Sequence, residues 1–280
     1  MKWRCLDRTL DLTRRGEIMG IVNVTPDSFS DGGLFATFDA ALDQARRLIA
    51  EGAALIDVGG ESTRPGAEDV NEAEESNRVL PVISRLAGEF PGIILSIDTS
   101  KAAVAEAAVA AGARVINDVR GFRDPEMVEV AAASGAGLVV MHMLGTPRTM
   151  QVSPVYDDLH RGITGFFQDR YDALTAAGVH PEAIVFDPGI GFGKTLEHNL
   201  SILGGIERYT VAGRPILLGV SRKSFLGKLT GSDRIEDRSW STVAVTAQAR
   251  EQGVRLHRVH EVKANLEAIR MTEAMLPGRP

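Results

Sequence analysis

The sequence lacks most of what would mark an exported, membrane-spanning or nucleic-acid-binding chain. Of its 280 residues one is cysteine, Cys5, which excludes an internal disulfide and a cysteine-built zinc site and fits a reducing cytoplasm. No apolar run approaches the ~18 residues that a membrane span needs. The stretch MKWRCLDRTLDLTRR scatters charges where a signal peptide would be apolar, so a cytoplasmic protein is expected. An excess of one charge is also missing: 31 basic residues stand against 37 acidic ones, a net −6, which leaves no global field for nucleic acid. Any bound anion must be held by a local basic cluster. Low-complexity tracts and Pro/Ser-rich linkers are absent, and residues 1–280 read as one domain.

What is present is a repeat of short apolar runs, each ending on a polar residue. They cover residues 18–23, 54–57, 93–98, 114–117, 137–142, 183–187, 215–221 and 254–260. Each is rich in Val, Ile and Leu and short, which suits a buried parallel strand. Helical patterns lie between them. Leu42, Ala45, Leu48 and Ile49 share one face, and Gly52 stands at a C-cap position. Asp124-Pro125-Glu126 reads as an N-cap followed by Pro at the first helical position, in a helix ending at Gly135. Thr99 or Ser100 is expected to cap a helix ending at Gly112. Residues 239–252 and 261–275 complete the series.

Strand–helix alternation demands parallel strands with crossovers. Eight units of about 35 residues each match a (β/α)8 TIM barrel, normally ~250 residues. The alternative, a doubly wound sheet with a dinucleotide site, would want a Gly-rich turn after the first strand. Asn23-Val24-Thr25-Pro26 stands there instead.

Active sites of such barrels sit at the C-terminal ends of the strands. Side chains alternate with period two, so Met19, Ile21 and Asn23 share a face, as do Ile94, Ser96 and Asp98. Val115 and Asn117 form a third pair, Val185 and Asp187 a fourth. On the last strand Val254, Leu256, Arg258 and His260 lie together, with Arg255 and His257 opposite. Each series is apolar low in the barrel and polar at its top. The reading predicts a ring of Asn23, Asp98, Asn117, Asp187, Arg258 and His260 around one mouth.

Three familiar motifs are only approximated. The segment GIGFGKT at 189–195 looks like a phosphate loop, but Pro188 stands where the first Gly belongs. Gly219-Val220-Ser221 lacks the closing Gly of a nucleophile elbow, so Ser221 is not read as a nucleophile. His257 and His260 would face opposite sides of a strand, which excludes a shared zinc. Two Gly-rich segments, 23–33 and 59–66, follow the first and second strands. They exceed the ~2–6 residues usual for such connections and are expected to be lid loops. Ser221, Arg222, Lys223 and Ser224 follow the seventh strand and, with Arg258 and His260, make a basic patch at the usual phosphate position. Carboxylates and amides are expected on one side of the mouth and cations on the other. A heterocycle rich in N–H donors that carries an anionic group would match.

Together the segments MGIVNVTPDSFSDGG (19–33), DVGGESTRPGA (57–67), SIDTSK (96–101), INDVRGF (116–122), VVMHMLGTPRTMQ (139–151), DPGIGFGKTLEHNL (187–200), GVSRKSFLG (219–227) and RVHEVK (258–263) resemble the dihydropteroate synthase family. The resemblance runs from about residue 18 to the C-terminus, and several signatures occur in order. The first fifteen residues carry none.

The resemblance implies a homodimeric (β/α)8 enzyme joining 7,8-dihydropterin-6-ylmethyl diphosphate to 4-aminobenzoate, with release of diphosphate. Asp98, Asn117, Asp187 and Lys223 match the family's pterin-pocket positions, and Met141 belongs with the substrate-binding set. Arg258 would cover the pterin ring. Asn23, Thr63, Arg258 and His260 match the positions that hold the diphosphate, with Mg²⁺ bound by Asn23 and phosphate oxygens. Phe29, Arg64, Pro65, Phe192 and Ser224 match the aminobenzoate site, with Ser224 at the carboxylate. Asp31 would steady a cationic intermediate or help close the site. Phe29 and Pro65 are the types expected in sulfonamide-susceptible members. A pterin-dependent methyltransferase domain of the same barrel family is the alternative; it has no use for a diphosphate patch.

Overall fold

The computed structural model describes residues 1–25, 33–62, 69–146, 150, 154–232 and 234–276. Two strands, β1 (Lys2–Cys5) and β2 (Arg8–Asp11), open the chain as an antiparallel hairpin. Eight parallel strands follow: β3 (Glu17–Asn23), β4 (Leu55–Gly59), β5 (Ile94–Asp98), β6 (Val115–Asp118), β7 (Gly137–Met141), β8 (Ile184–Asp187), β9 (Leu217–Leu218) and β10 (Leu256–Val259). They neighbour one another in the order β8-β7-β6-β5-β4-β3-β10-β9. The ring closes where Phe186 N donates to Pro215 O at 3.1 Å and Phe186 bridges to Ile216.

Helices separate the strands: α1 (Gly33–Ala50), α2 (Glu72–Glu89), α3 (Ala102–Ala110), α4 (Pro125–Ser134), α5 (Leu159–Ala176), α6 (Leu196–Leu203), α7 (Ser224–Thr230), α8 (Ser239–Glu251) and α9 (Val262–Met275). The fold is therefore the expected (β/α)8 barrel. Of the two expected lids, residues 26–32 and 63–68 lie outside the described residues.

Local signals explain several boundaries. Asp124 caps α4 by accepting Glu126 N, Pro125 occupies the first turn, and Gly135 ends the helix at φ 66°. Leu42, Ala45 and Leu48 of α1 are buried as read, and Ile49 packs partly buried beside them. The cap of α3 differs from expectation. Lys101 occupies the N-cap without a side-chain bond, while Thr99 Oγ1 accepts Lys101 N at 3.2 Å and so shapes the preceding turn. The seventh run is shorter than read. Only Leu217–Leu218 form a ladder, because Pro215 has no N–H to donate and serves through its carbonyl.

Period-two alternation builds two cores. Met19, Leu55, Ile94, Val115, Val139, Val185, Leu217 and Leu256 supply one interior residue from each barrel strand. The hairpin closes this layer from below: Trp3, Cys5 and Leu12 belong to the same cluster. Trp3 Nε1 donates to Ala183 O at 2.9 Å, and Arg214 Nη2 donates to Lys2 O at 2.7 Å. The fifteen residues without a motif are thus the plug of the barrel's lower end. The outward-facing residues, among them Ile18, Val22, Ile56, Leu95, Ile97, Ile116, Val140, Phe186 and Val259, pack against the helices. Each fully buried aliphatic side chain contributes about 1.5–3 kcal/mol relative to exposure. With the floor sealed by apolar packing, polar interior residues remain only toward the C-terminal ends of the strands.

Candidate active site

The strand tops converge on one cavity. Asp187 ends β8, Gly219 follows β9, and Arg258 lies on β10. A Cβ built on Gly219 would stand 3.7 Å from Asp187 Oδ2 and 3.9 Å from Arg258 Cβ, so both residues flank the same glycine and face the same lumen. On the other flank a Cβ on Gly59 would meet Asp98 at 3.5 Å. Asn117 on β6 is in register with Asp98 on β5.

Arg258 spans this space. Its Nε donates to Asp57 Oδ2 at 2.6 Å and its Nη2 to Asp98 Oδ2 at 2.6 Å. Asn117 Nδ2 donates to the same Asp57 oxygen at 2.9 Å. Arg258 pairs in register with Met19, one interior layer below the level of Ile21 and Asp57. Only a side chain as long as arginine climbs that step, which is why the guanidinium reaches β4 and β5. The expected division of the mouth into an acidic and a cationic side is therefore corrected: Arg258 stands among the carboxylates.

Asp57 is the residue that motif reading left out of the ring. It is fully buried and its run ends on a polar residue like the others, so period and register already placed it inside. Burial lowers the Arg258 pKa, but the carboxylates of Asp57 and Asp98 outweigh it and hold the guanidinium firmly charged. Burial raises Asp98 above the ordinary carboxylate range, against the opposing pull of Arg258. Burial likewise raises Asp187, opposed by Lys223, and Gly189 N donates to Asp187 Oδ1 at 2.7 Å. That leaves Oδ2 as the oxygen nearest Gly219 and the lumen.

Lys223 sits immediately before α7. Its Nζ donates to Ile190 O at 2.5 Å and lies 4.6 Å from the centroid of the Phe192 ring. Burial pulls its pKa down to about 8, with Asp187 opposing the shift. Phe192 packs against Met141, Met143, Met150 and Val119, an apolar wall beside the lysine. At the other edge Ser221 Oγ is 2.9 Å from His260 Nδ1 and accepts His260 N at 3.2 Å. Ser221 therefore braces His260, in keeping with its reading as something other than a nucleophile. Ser224 is exposed at the first position of α7. His257 faces the opposite way and is 1% exposed among the outer helices, as the alternation required.

Asp98, Asn117, Asp187, Lys223, Arg258, Met141 and Phe192 are thus brought together, with Asn23 and His260 at neighbouring strand tops. Phe29, Asp31, Thr63, Arg64 and Pro65 lie outside the described residues. Sequence reasoning also missed Lys194, whose buried ammonium contacts His142, because its motif was rejected as a phosphate loop.

Chemically the cavity offers carboxylate acceptors for paired N–H groups, two cations, and an apolar wall wide enough for a ring. The family model for pterin binding enzymes matches residues 19–260. The dihydropteroate synthase of Escherichia coli K12 is 42% identical over 279 residues, covering 100% of this chain and 98% of that protein. The structure of Yersinia pestis dihydropteroate synthase with a sulfonamide drug shares 46% identity and a TM-score of 0.92, covering 98% of each chain. The Xanthomonas albilineans dihydropteroate synthase with 4-aminobenzoic acid shares 43% identity and a TM-score of 0.92, covering 99% of each chain. A barrel whose strand tops carry this arrangement, matched end to end at such identity, belongs to the pterin-binding enzymes and, within them, to the dihydropteroate synthase family of transferases.

Proposed function

We propose that this chain, acting as one domain, condenses 7,8-dihydropterin-6-ylmethyl diphosphate with 4-aminobenzoate, giving 7,8-dihydropteroate and diphosphate. The observation that carries this reading is the placement of Asp187 and Arg258 on either side of Gly219, with Lys223 and Phe192 above. A pterin presents a 2-amino group and a ring N–H side by side, and the Asp187 carboxylate accepts such a pair. Asn117 and the Lys223 ammonium hold the remaining ring heteroatoms. Arg258, fixed at both ends by Asp57 and Asp98, offers a guanidinium plane for the ring face.

The C–O bond to diphosphate breaks with its electron pair leaving on the phosphate oxygen. The methylene cation is delocalised into the pterin, with Asp98 and Asp187 supplying negative charge nearby. The arylamine nitrogen then forms the C–N bond and loses a proton to solvent. An arylamine is neutral near pH 7, so no strong base is assigned. Phe29, Arg64, Pro65, Phe192 and Ser224 bind the aminobenzoate in this reading, and Thr63 and His260 the diphosphate. Asp31 serves closure or cation stabilisation.

The donors fit a magnesium ion that arrives with the substrate. Among the described residues no group of three His, Cys, Asp or Glu side chains is placed to hold a metal, and Asn23 offers one hard amide oxygen at the top of β3. Asn23 and the substrate's phosphate oxygens would hold the ion, which neutralises leaving-group charge when bound.

We also assign the protein to the cytoplasm, where no helix of the described chain is long and apolar enough to cross a membrane, and to a homodimer. Trp240 on α8 is 80% exposed, and Met271 and Met275 on α9 are 62% and 72% exposed, an apolar supply that supports pairing of late helices. Light scattering on Trp240→Glu gives a monomer if so, and an unchanged mass rejects that surface.

Diphosphate release that depends on 4-aminobenzoate, with dihydropteroate as product, tests the function. Asp187→Asn should abolish pterin binding, and sulfonamides should compete with 4-aminobenzoate. Turnover of Asp187→Asn at the wild-type rate would place the pterin elsewhere.

A further inference from the structure

Lys194 is 3% exposed, and its ammonium is not paired with a carboxylate in any ion pair among the described residues. Its Nζ lies 3.1 Å from His142 Nδ1, 3.3 Å from His142 O and 3.0 Å from Phe192 O. Burial pulls the Lys194 pKa down to about 7, with the Asp187 charge opposing, and in the charged form three acceptors surround the three ammonium protons. Burial keeps His142 neutral, with its pKa lowered to about 2. The geometry then assigns the imidazole proton to Nε2, so that Nδ1 accepts.

Two loops meet at this point. Residues 142–146 follow β7, and residues 188–195 follow β8. They touch backbone to backbone: a Cβ on Gly189 would collide with His142 O, and one on Gly193 would stand 2.5 Å from Leu144 O. Both glycines hold positive φ, 65° and 63°, which L side chains adopt with strain. Tyr156 Oη donates to Gly193 O at 2.9 Å and steadies the same loop. Asp187 touches both loops, taking His142 N on its carbonyl at 2.9 Å and Gly189 N on Oδ1 at 2.7 Å, but it ends β8, which is paired along β7 through the Met141 register. Phe192 has no such ladder. Its carbonyl is held by Lys194, and its ring forms the wall with Met141, Met143 and Met150.

We propose that Lys194 is a positioning residue for the aminobenzoate ring: its ammonium clamps the Phe192 loop to the end of β7 through His142, without touching either substrate. This rests on the function proposed above. Binding a buried lysine without a carboxylate costs desolvation, and the surrounding carbonyls and imidazole offset it only in this one arrangement. Loss of the clamp therefore moves Phe192 more than it moves Asp187.

The experiment measures kcat and both KM values for Lys194→Met, with thermal melting as a check on folding. The KM for 4-aminobenzoate should rise on the order of tenfold or more, as expected of a misplaced binding group. The KM for the pterin diphosphate should rise less, because Asp187 and Lys223 touch the same loop only through Gly189 and Ile190. A merely structural role would lower the melting point and leave the ratio of the two KM values unchanged, which overturns the proposal. Two further variants decide the matter even if Lys194→Met does not fold. His142→Asn places an amide oxygen where Nδ1 accepted and should keep the aminobenzoate KM, whereas His142→Leu should raise it. Equal behaviour of the two overturns the clamp. A wild-type enzyme that forms no dihydropteroate removes the functional reading and this proposal with it. An active wild type with an unmoved KM ratio removes the proposal alone.

Discussion

Asp57 Oδ2 lies 2.6 Å from Arg258 Nε, and the same oxygen takes a second hydrogen bond from Asn117 Nδ2 at 2.9 Å. One buried carboxylate oxygen therefore orients two residues that the proposed function assigns to the pterin. Asp57→Leu should lower kcat/KM for the pterin diphosphate by about ten- to a hundredfold, the range for removing an orienting partner. The loss of stability should stay below the about 3–5 kcal/mol of a fully broken buried pair, because Asp98 still holds Arg258. Steady-state kinetics and denaturant melts check both parts.

Lys223 should give the activity an alkaline limb. Its ammonium has a pKa of about 8, below the ordinary 10.5, because burial disfavours the charge. The donor that the proposed function assigns to the pterin ring is lost as pH rises through that value. The profile of kcat/KM for the pterin diphosphate, which reports the free enzyme, should fall above about pH 8. Lys223→Met should be weak at every pH and lack that limb.

His257 is 1% exposed, and neither ring nitrogen has a hydrogen-bond partner among the described residues. Burial, and then the charge of Arg250, lower its pKa from 6.5 to about 3. Between these values the unfolded chain binds a proton that the folded one refuses. Its contribution to stability is present above about pH 6.5 and is lost as pH falls toward 3. His257→Met should flatten the decline in melting temperature between pH 7 and pH 5. An unchanged slope would show that other groups set it.

Trp3 fills the lower end of the barrel at 0% exposure. Trp3→Ala should cost about 3–5 kcal/mol, as large-to-small core changes do. Activity per folded molecule should be unchanged, because the plug and the strand tops are at opposite ends. A drop in kcat of the folded fraction would contradict that separation.

The strands and the inward series were legible because one physical constraint repeats: a parallel strand buried on both faces leaves polar residues only where it leaves the core. Asp98, Asn117 and Asp187 follow from it directly. The hairpin was not legible. Trp3 and Cys5 alternate over only a few residues, and the layer they complete is assembled from eight separate strands. Asp57 was visible as a polar strand end, but its partner lies 201 residues away in the chain.

Periodicity and the ordered signatures were enough, by themselves, to determine the barrel, the end of it where the polar strand residues gather and the family. They could not assign which charges pair. That depended on register: Arg258 starts one layer below Asp57 and must cross the lumen, and Lys194 folds back on its own loop rather than toward a phosphate. Side-chain period is a property of the local backbone, whereas ion pairing depends on distances that exist only once the ring of strands has closed.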